Sequence, residues 1–135
     1  MTGVVLTWEA ELEELRRREA LAEQMGGEEK VARQHGRGKM DARARLAALC
    51  DDGTFREIGK IAGKGSYDED GNLEAVLPAP FLFGKAQING RPVVATADDF
   101  TIRGGAADAG ISRKMVQAEK MAHELKLPII RMIDG

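Results

Sequence analysis

Two apolar runs, residues 81–88 and 92–97, flank Asn89-Gly90, and that arrangement constrains the fold more than any other feature of the chain. Asn-Gly accepts the positive φ angles of a type I′ turn, so the runs are predicted as antiparallel strands of a tight hairpin. Behind them Gly104-Gly105 supplies a loop, and residues 108–125 place Ile111, Met115, Ala118, Ala122 and Leu125 along one face of a predicted helix. Lys126-Leu127-Pro128 ends that helix, and residues 129–133 form a short apolar run, the pattern of a strand buried on both faces. The expected fold class is therefore α/β. The chain reaches Asp134-Gly135 directly off the carboxyl end of the last strand, where open α/β folds place ligands.

The first third reads differently. Residues 8–24 set Trp8, Leu12, Leu15 and Leu21 at helical spacing, with Glu9, Glu11, Glu13 and Glu14 early and Arg16, Arg17 and Arg18 later, an order that suits the helix dipole. Gly26-Gly27 is the expected stop. A second helix is predicted over 28–35 and a third over 42–50, capped by Asp41. None has enough apolar surface for a core, so residues 1–53 are expected to form a helical arm and residues 54–135 the start of a larger domain. Within the latter, 55–61 reads as a strand and 63–72 as a loop or hairpin tip. The Asp-x-Asp-x-Asn run there lacks the turn glycine and bidentate Glu of a calcium loop, so a plain turn is expected. One ββα unit with an arm buries too little apolar surface to stand alone, so a fragment, or one piece of an assembly, is expected.

The charge balance, 20 Lys+Arg against 22 Asp+Glu for a net −2, argues against a dedicated nucleic-acid or membrane-surface partner. The longest uncharged apolar stretch, 75–83, is short and broken by Pro78 and Pro80. The single cysteine, Cys50, and the absence of a leader-like start point to a reducing, cytoplasmic setting. Cys50 is expected to be a packed hydrophobe, and His123 has no second ligand at metal spacing, so no metal site is expected.

Two segments carry chemistry. Arg33, Arg37, Lys39, Arg43 and Arg45 lie together with only Asp41 opposing, a fixed positive patch suited to an anion, to which the third helix's N-terminus would add its dipole. Gly104 and Gly105, between strand and helix, let the backbone approach a ligand and offer N–H groups as oxyanion donors. The neighbouring Asp98 and Asp99 point to opposite faces of an extended segment and are read as strand-end and turn residues.

The run 26–46 (GGEEKVARQHGRGKMDARARL), followed by Asp52-Gly53-Thr54-Phe55-Arg56-Glu57-Ile58, resembles the opening of biotin-dependent acyl-CoA carboxylase carboxyltransferase (beta) subunits, of the propionyl-, acetyl- or methylmalonyl-CoA type. Asn89-Gly90-Arg91-Pro92-Val93-Val94, Asp99-Phe100-Thr101-Ile102-Arg103-Gly104-Gly105 and Leu127-Pro128-Ile129-Ile130 are similar to that family's central hairpin, glycine loop and next strand. The resemblance implies a crotonase-like spiral of ββα units, here incomplete and preceded by the arm. It implies transfer of a carboxyl group between carboxybiotin, carried on a partner, and the α-carbon of an acyl-CoA, with backbone N–H groups holding the developing oxyanions. It implies Gly104, Gly105 and Ala106 at the thioester pocket and Arg37, Lys39 and Arg43 at the CoA phosphates. Biotin carboxylase and carrier partners and a homo-oligomer, a hexamer in relatives, also follow from it. The glycine-rich loop that supplies further oxyanion donors, and the biotin-binding half, would lie beyond residue 135. Asp41 and Ala44 stand where relatives often have a Thr cap and a Glu, so the capping box is reduced to its cap. Two other readings are another crotonase-like CoA enzyme, such as a hydratase, isomerase or decarboxylase, and a non-catalytic assembly or binding module.

Overall fold

The computed structural model describes residues 5–106 and 112–134. Three helices lead: α1 (Glu9–Glu23), α2 (Glu28–Gly36) and α3 (Ala42–Leu49). Then come β1 (Arg56–Ile58), β2 (Gly63–Tyr67), β3 (Leu73–Pro78), β4 (Phe81–Ile88) and β5 (Arg91–Asp98), a short 3-10 turn at Arg103–Gly105, α4 (Ser112–Leu125) and β6 (Ile129–Met132). One sheet has the order β1-β4-β5-β6, and β2 and β3 pair by themselves. The predicted hairpin is present in full register, Phe81 opposite Asp98 through Ile88 opposite Arg91, with positive φ at Asn89 (52°) and Gly90 (78°). The α4 crossover brings β6 back parallel to β5, as a ββα unit requires.

Side chains of β4 and β5 alternate between two cores. Leu82, Ala86, Val93, Ala95 and Ala97 pack with Ala42, Leu46 and Cys50 of the α3 side, while Phe81, Phe83 and Val94 pack with Ala118 and Ala122 of α4. This two-sided burial is why both hairpin runs are nearly continuously apolar. It also gives α3 a place that its own sequence does not announce. Within the segment expected as an arm, α3 covers one face of the sheet, and Cys50 is the small packed hydrophobe expected of it.

Four expectations need correction. The strand predicted over 55–61 ends at Ile58, because Gly59 at φ 72° turns the chain out of the sheet. The segment read as a loop over 63–72 contains β2, paired with β3 from Gly63 opposite Pro78 to Tyr67 opposite Leu73. Its sequence, GKGSY, has no apolar alternation to betray a strand. Only the tip is a plain turn, with Asp68 Oδ1 accepting the N–H of Asp70 (2.9 Å) and Asn72 (2.8 Å). β6 meets both cores, Ile129 on the α4 side and Ile130 and Met132 on the α3 side, yet at the sheet edge these residues are only half-buried. The fully buried strands are the hairpin's.

Gly26-Gly27 does not simply stop α1. The helix has already ended at Glu23, and Met25 takes the left-handed turn at φ 53°. Gly26 instead sits where a Cβ would lie 1.9 Å from the Thr101 carbonyl oxygen, so it fixes how closely the α1–α2 joint docks on the loop after β5. The predicted helix start at Asp108 and the position of Ile111 lie outside the described residues, as does Gly135.

Candidate functional site

The loop after β5 is held from within. Asp99, 1% exposed, accepts the N–H and the hydroxyl of Thr101 on Oδ1 at 2.9 and 2.5 Å, and the Gly26 N–H donates to Thr101 Oγ1 at 3.0 Å. Burial pushes the Asp99 carboxyl above its ordinary range, and the Thr101 bonds only partly offset that. Asp99 is thus a turn residue, as expected, but one that welds the glycine loop to the α1–α2 joint.

That weld builds a cleft. Lys30, Arg33, Gln34 and Arg37 of the α2 segment face Phe100, Thr101, Arg103 and Gly104 across a space of about 320 Å³. The basic run and the glycine loop, some seventy residues apart in the sequence, meet in one place. Arg37 and Gly104 line the cleft directly. Lys39 stands beside it, its Nζ 5.3 Å from the centre of the Phe100 ring and 3.0 Å from Asp134 Oδ1. Gly104 (φ 62°, ψ 26°) and Gly105 (φ 76°) make the turn that glycine permits. The Gly105 N–H donates to the Ile102 carbonyl (2.9 Å) and the Ala106 N–H to that of Arg103 (3.2 Å), so both are used inside the turn.

The remaining cations of the run have other partners. Arg43 turns away from the cleft and grips Glu57 of β1 with both terminal nitrogens, at 2.7 and 3.2 Å. Arg45 joins Lys39 and Gln34 on Asp134, its Nη2 3.0 Å from Oδ2 and the Gln34 amide nitrogen 3.1 Å from the same oxygen. Burial works against ionisation of Asp134, but Lys39, Gln34 and Arg45 outweigh it and hold the carboxyl below its usual range. The N-terminus of α3, expected to attract an anion, already has one. Asp41 Oδ1 accepts the Ala44 N–H at 2.8 Å and Oδ2 lies 2.8 Å from His35 Nε2. There too, burial is outweighed, by Ala44 and His35, and the Asp41 carboxyl is held low. Lys30 and Gln34 were not singled out in the sequence, and Asp134, placed there at a ligand position, and Phe100 and Thr101, placed in the glycine loop, were given no partners. Their signal was weak because Gln34 and Asp134 matter through a contact a hundred residues apart in the chain.

The arrangement can hold a polyanionic group against four cationic side chains with an aromatic floor and a glycine backbone alongside. Among the described residues no helix is long and apolar enough to cross a membrane.

Comparison with known proteins identifies relatives of the chain as a whole. The chain is 35% identical over 131 residues to the carboxyltransferase subunit of propionyl-CoA carboxylase from Haloferax mediterranei, covering 96% of this chain and 25% of that protein. It is 36% identical over 130 residues to the methylmalonyl-CoA carboxyltransferase 12S subunit of Propionibacterium freudenreichii subsp. shermanii, again 96% of this chain and 25% of the relative. The crystal structure of transcarboxylase 12S, a hexamer with methylmalonyl-CoA and methylmalonic acid bound, superposes with a TM-score of 0.81 at 32% identity, over 98% of this chain and 26% of that one. The chain thus spans about a quarter of the length of these relatives, and the fold is that of the crotonase-like carboxyltransferases. Residues 33–135 match the carboxyl transferase domain, and the chain belongs to that family.

Proposed function

We propose that this chain is the N-terminal, acyl-CoA-binding part of a biotin-dependent carboxyltransferase, which moves a carboxyl group between carboxybiotin and the α-carbon of an acyl-CoA. The observation that carries the reading is the single cleft in which Lys30, Arg33 and Arg37 meet Arg103 and Gly104. CoA carries its charge on phosphates, and guanidinium groups with exposed glycine backbone suit them. In this reading Lys30, Arg33 and Arg37 hold phosphate. Lys39 sets the electrostatic potential at the cleft edge, and Arg43 acts through Glu57. Gly104, Gly105 and Ala106 form the wall of the thioester pocket. Of their N–H groups, that of Gly104 is the oxyanion donor, since Gly105 and Ala106 donate within the turn. Carboxybiotin arrives on a carrier protein charged by a separate biotin carboxylase, in the cytoplasm, and its binding surface lies outside these residues. Trp8, Leu12 and Leu15, 76%, 44% and 39% exposed on α1, favour a role for the arm in homo-oligomer contacts, as a hexamer would need.

Binding of CoA to the purified protein tests the reading. Lys39→Glu and Arg37→Glu are expected to weaken CoA at least about tenfold, with a steep dependence on ionic strength. Gly104→Val is expected to weaken the thioester more than free CoA. CoA affinity unchanged in all three variants would leave the assembly-module reading in its place.

A further inference from the structure

A second cleft lies on the opposite side of the sheet from α3. Ile58, Ala62, Ala79 and Phe83 form its apolar wall, Gly59 and Gly63 its floor, and Arg113, Lys114 and Gln117 of α4 its rim, around about 290 Å³. That volume is at the small end of ligand cavities, which begin at about 300 Å³. Lys114 is 9% exposed, and its Cε lies 3.3 Å from the position a Cβ on Gly59 would take, so its ammonium end reaches the floor of the cleft.

The stem of Lys114 is buried, but its Nζ is not among the fully buried side-chain atoms of the described residues left without a partner, Arg43 Nε and Asp99 Oδ2, so the ammonium opens onto the cleft. Glu57 is the acidic group that acts on Lys114, but its two carboxylate oxygens are engaged by Arg43 at 2.7 and 3.2 Å. A carboxylate can accept more than the two bonds from Arg43, but no hydrogen bond joins Lys114 to Glu57 or to another described residue, so Glu57 acts on it through its charge alone. Burial, with the Arg43 charge added and Glu57 opposing, lowers the amine to about 8. The groups facing it are Glu57 from β1, Arg43 from α3 and Arg113 on its own helix, two cations against one anion.

We infer that this cleft is a binding site for a small monocarboxylate with a short apolar tail, its carboxylate on Lys114 and its tail against Ile58, Ala62, Ala79 and Phe83. The anion completes the charge balance and gives the ammonium the acceptor that Glu57 withholds. The tail supplies what affinity a single exposed ion pair cannot. The assignment is independent of the CoA reading, because it shares no residue with the basic cleft.

The probes are acetate, butanoate and butan-1-ol, with binding followed by ligand-observed NMR and calorimetry on the purified protein. Butanoate is expected to bind more tightly than acetate and far more tightly than butan-1-ol at pH 7. Its affinity should fall about 30-fold between pH 7 and pH 9.5 as an amine of about 8 loses its proton. Lys114→Met is expected to abolish the preference for butanoate over butan-1-ol while leaving CoA binding intact. The pH profile of the unsubstituted protein carries the test alone should that variant fold poorly. Equal binding of acid and alcohol, a profile flat across that pH range, retention of binding in Lys114→Met, or no binding of any probe at 50 mM would each overturn the assignment.

Discussion

Two carboxylates show how one residue type is pushed in opposite directions by its neighbours. Asp134, held low by Lys39, Gln34 and Arg45, contributes stability that is present above the ordinary carboxylate pKa of about 3.9 and is lost as pH falls through its lowered folded value. Asp134→Asn is therefore expected to cost about 1 kcal/mol at pH 7, since solvent reaches the Lys39 side of the pair, and progressively less as pH falls through the lowered folded value. Asp99 is the reverse case. Its folded value is raised, so its favourable contribution is present at low pH and lost as pH rises through that value. Relative to the unsubstituted protein, Asp99→Asn should gain stability between pH 4 and pH 7, whereas Asp134→Asn should lose it over the low end of the scale. Urea unfolding at several pH values measures both, and slopes of the same sign for the two variants would contradict the assignment. Gly26→Ala places a methyl on the Thr101 carbonyl, against backbone that cannot rotate away, and should cost about 1–3 kcal/mol and weaken CoA through the displaced loop.

Among the elements, the β4–β5 hairpin is held at its turn by a residue nearly forty positions earlier in the chain. Asp51, in the turn after α3, accepts the N–H of Asn89 on Oδ1 (2.8 Å) and of Gly90 on Oδ2 (2.7 Å), while its own N–H donates to the Gln87 carbonyl (2.8 Å). Asp51→Ala should then cost about 1–3 kcal/mol by leaving those donors to water and loosening the turn. Faster amide exchange at residues 87–90 with exchange in α4 unchanged is the expected signature. The Asn-Gly turn itself was legible because its chemistry is local. So were the Asp41 cap and Met115, Ala118 and Ala122 of the α4 stripe, which depend on residues three or four apart, though not the end of the stripe, where Leu125 is exposed. β2 was illegible, because GKGSY becomes a strand only through pairing with β3, and α3 looked too poor for a core because its partner surface is supplied by Ala95 and Ala97 fifty residues later. In the site, charge and glycine were readable as types. Their convergence was not, nor was the diversion of Arg43 to Glu57, since nothing in spacing says which cation a buried acid on another strand will take.

For the whole molecule, the two cores set a hierarchy. α3, β4, β5 and α4 share interlocking buried side chains on both faces of one sheet, so opening any of them exposes Val94, Ala95 and Ala97, each fully buried. The α1 and β2–β3 layer has no such core. Its buried apolar residues are few, Ala22 and Leu73 among them, and it is tied on by polar contacts such as Arg18 to the Tyr67 hydroxyl and Lys60 to Glu23 at 2.7 Å. Exposed ion pairs of that kind contribute about 0–1 kcal/mol each. The peripheral layer should therefore open well before the central one, as a separate cooperative unit. Native-state hydrogen exchange in low urea measures this directly. Amides of β2, β3 and α1 are expected to exchange through a shared sub-global opening with a small urea dependence, while those of β4 and β5 exchange only with global unfolding. Because the Gly26–Thr101 contact joins the two layers, occupancy of the basic cleft should slow the peripheral opening more than the global one. Uniform protection across both layers would show that the arm and the sheet unfold as one body, and that the α1–α2 joint carries more of the stability than its few buried side chains account for.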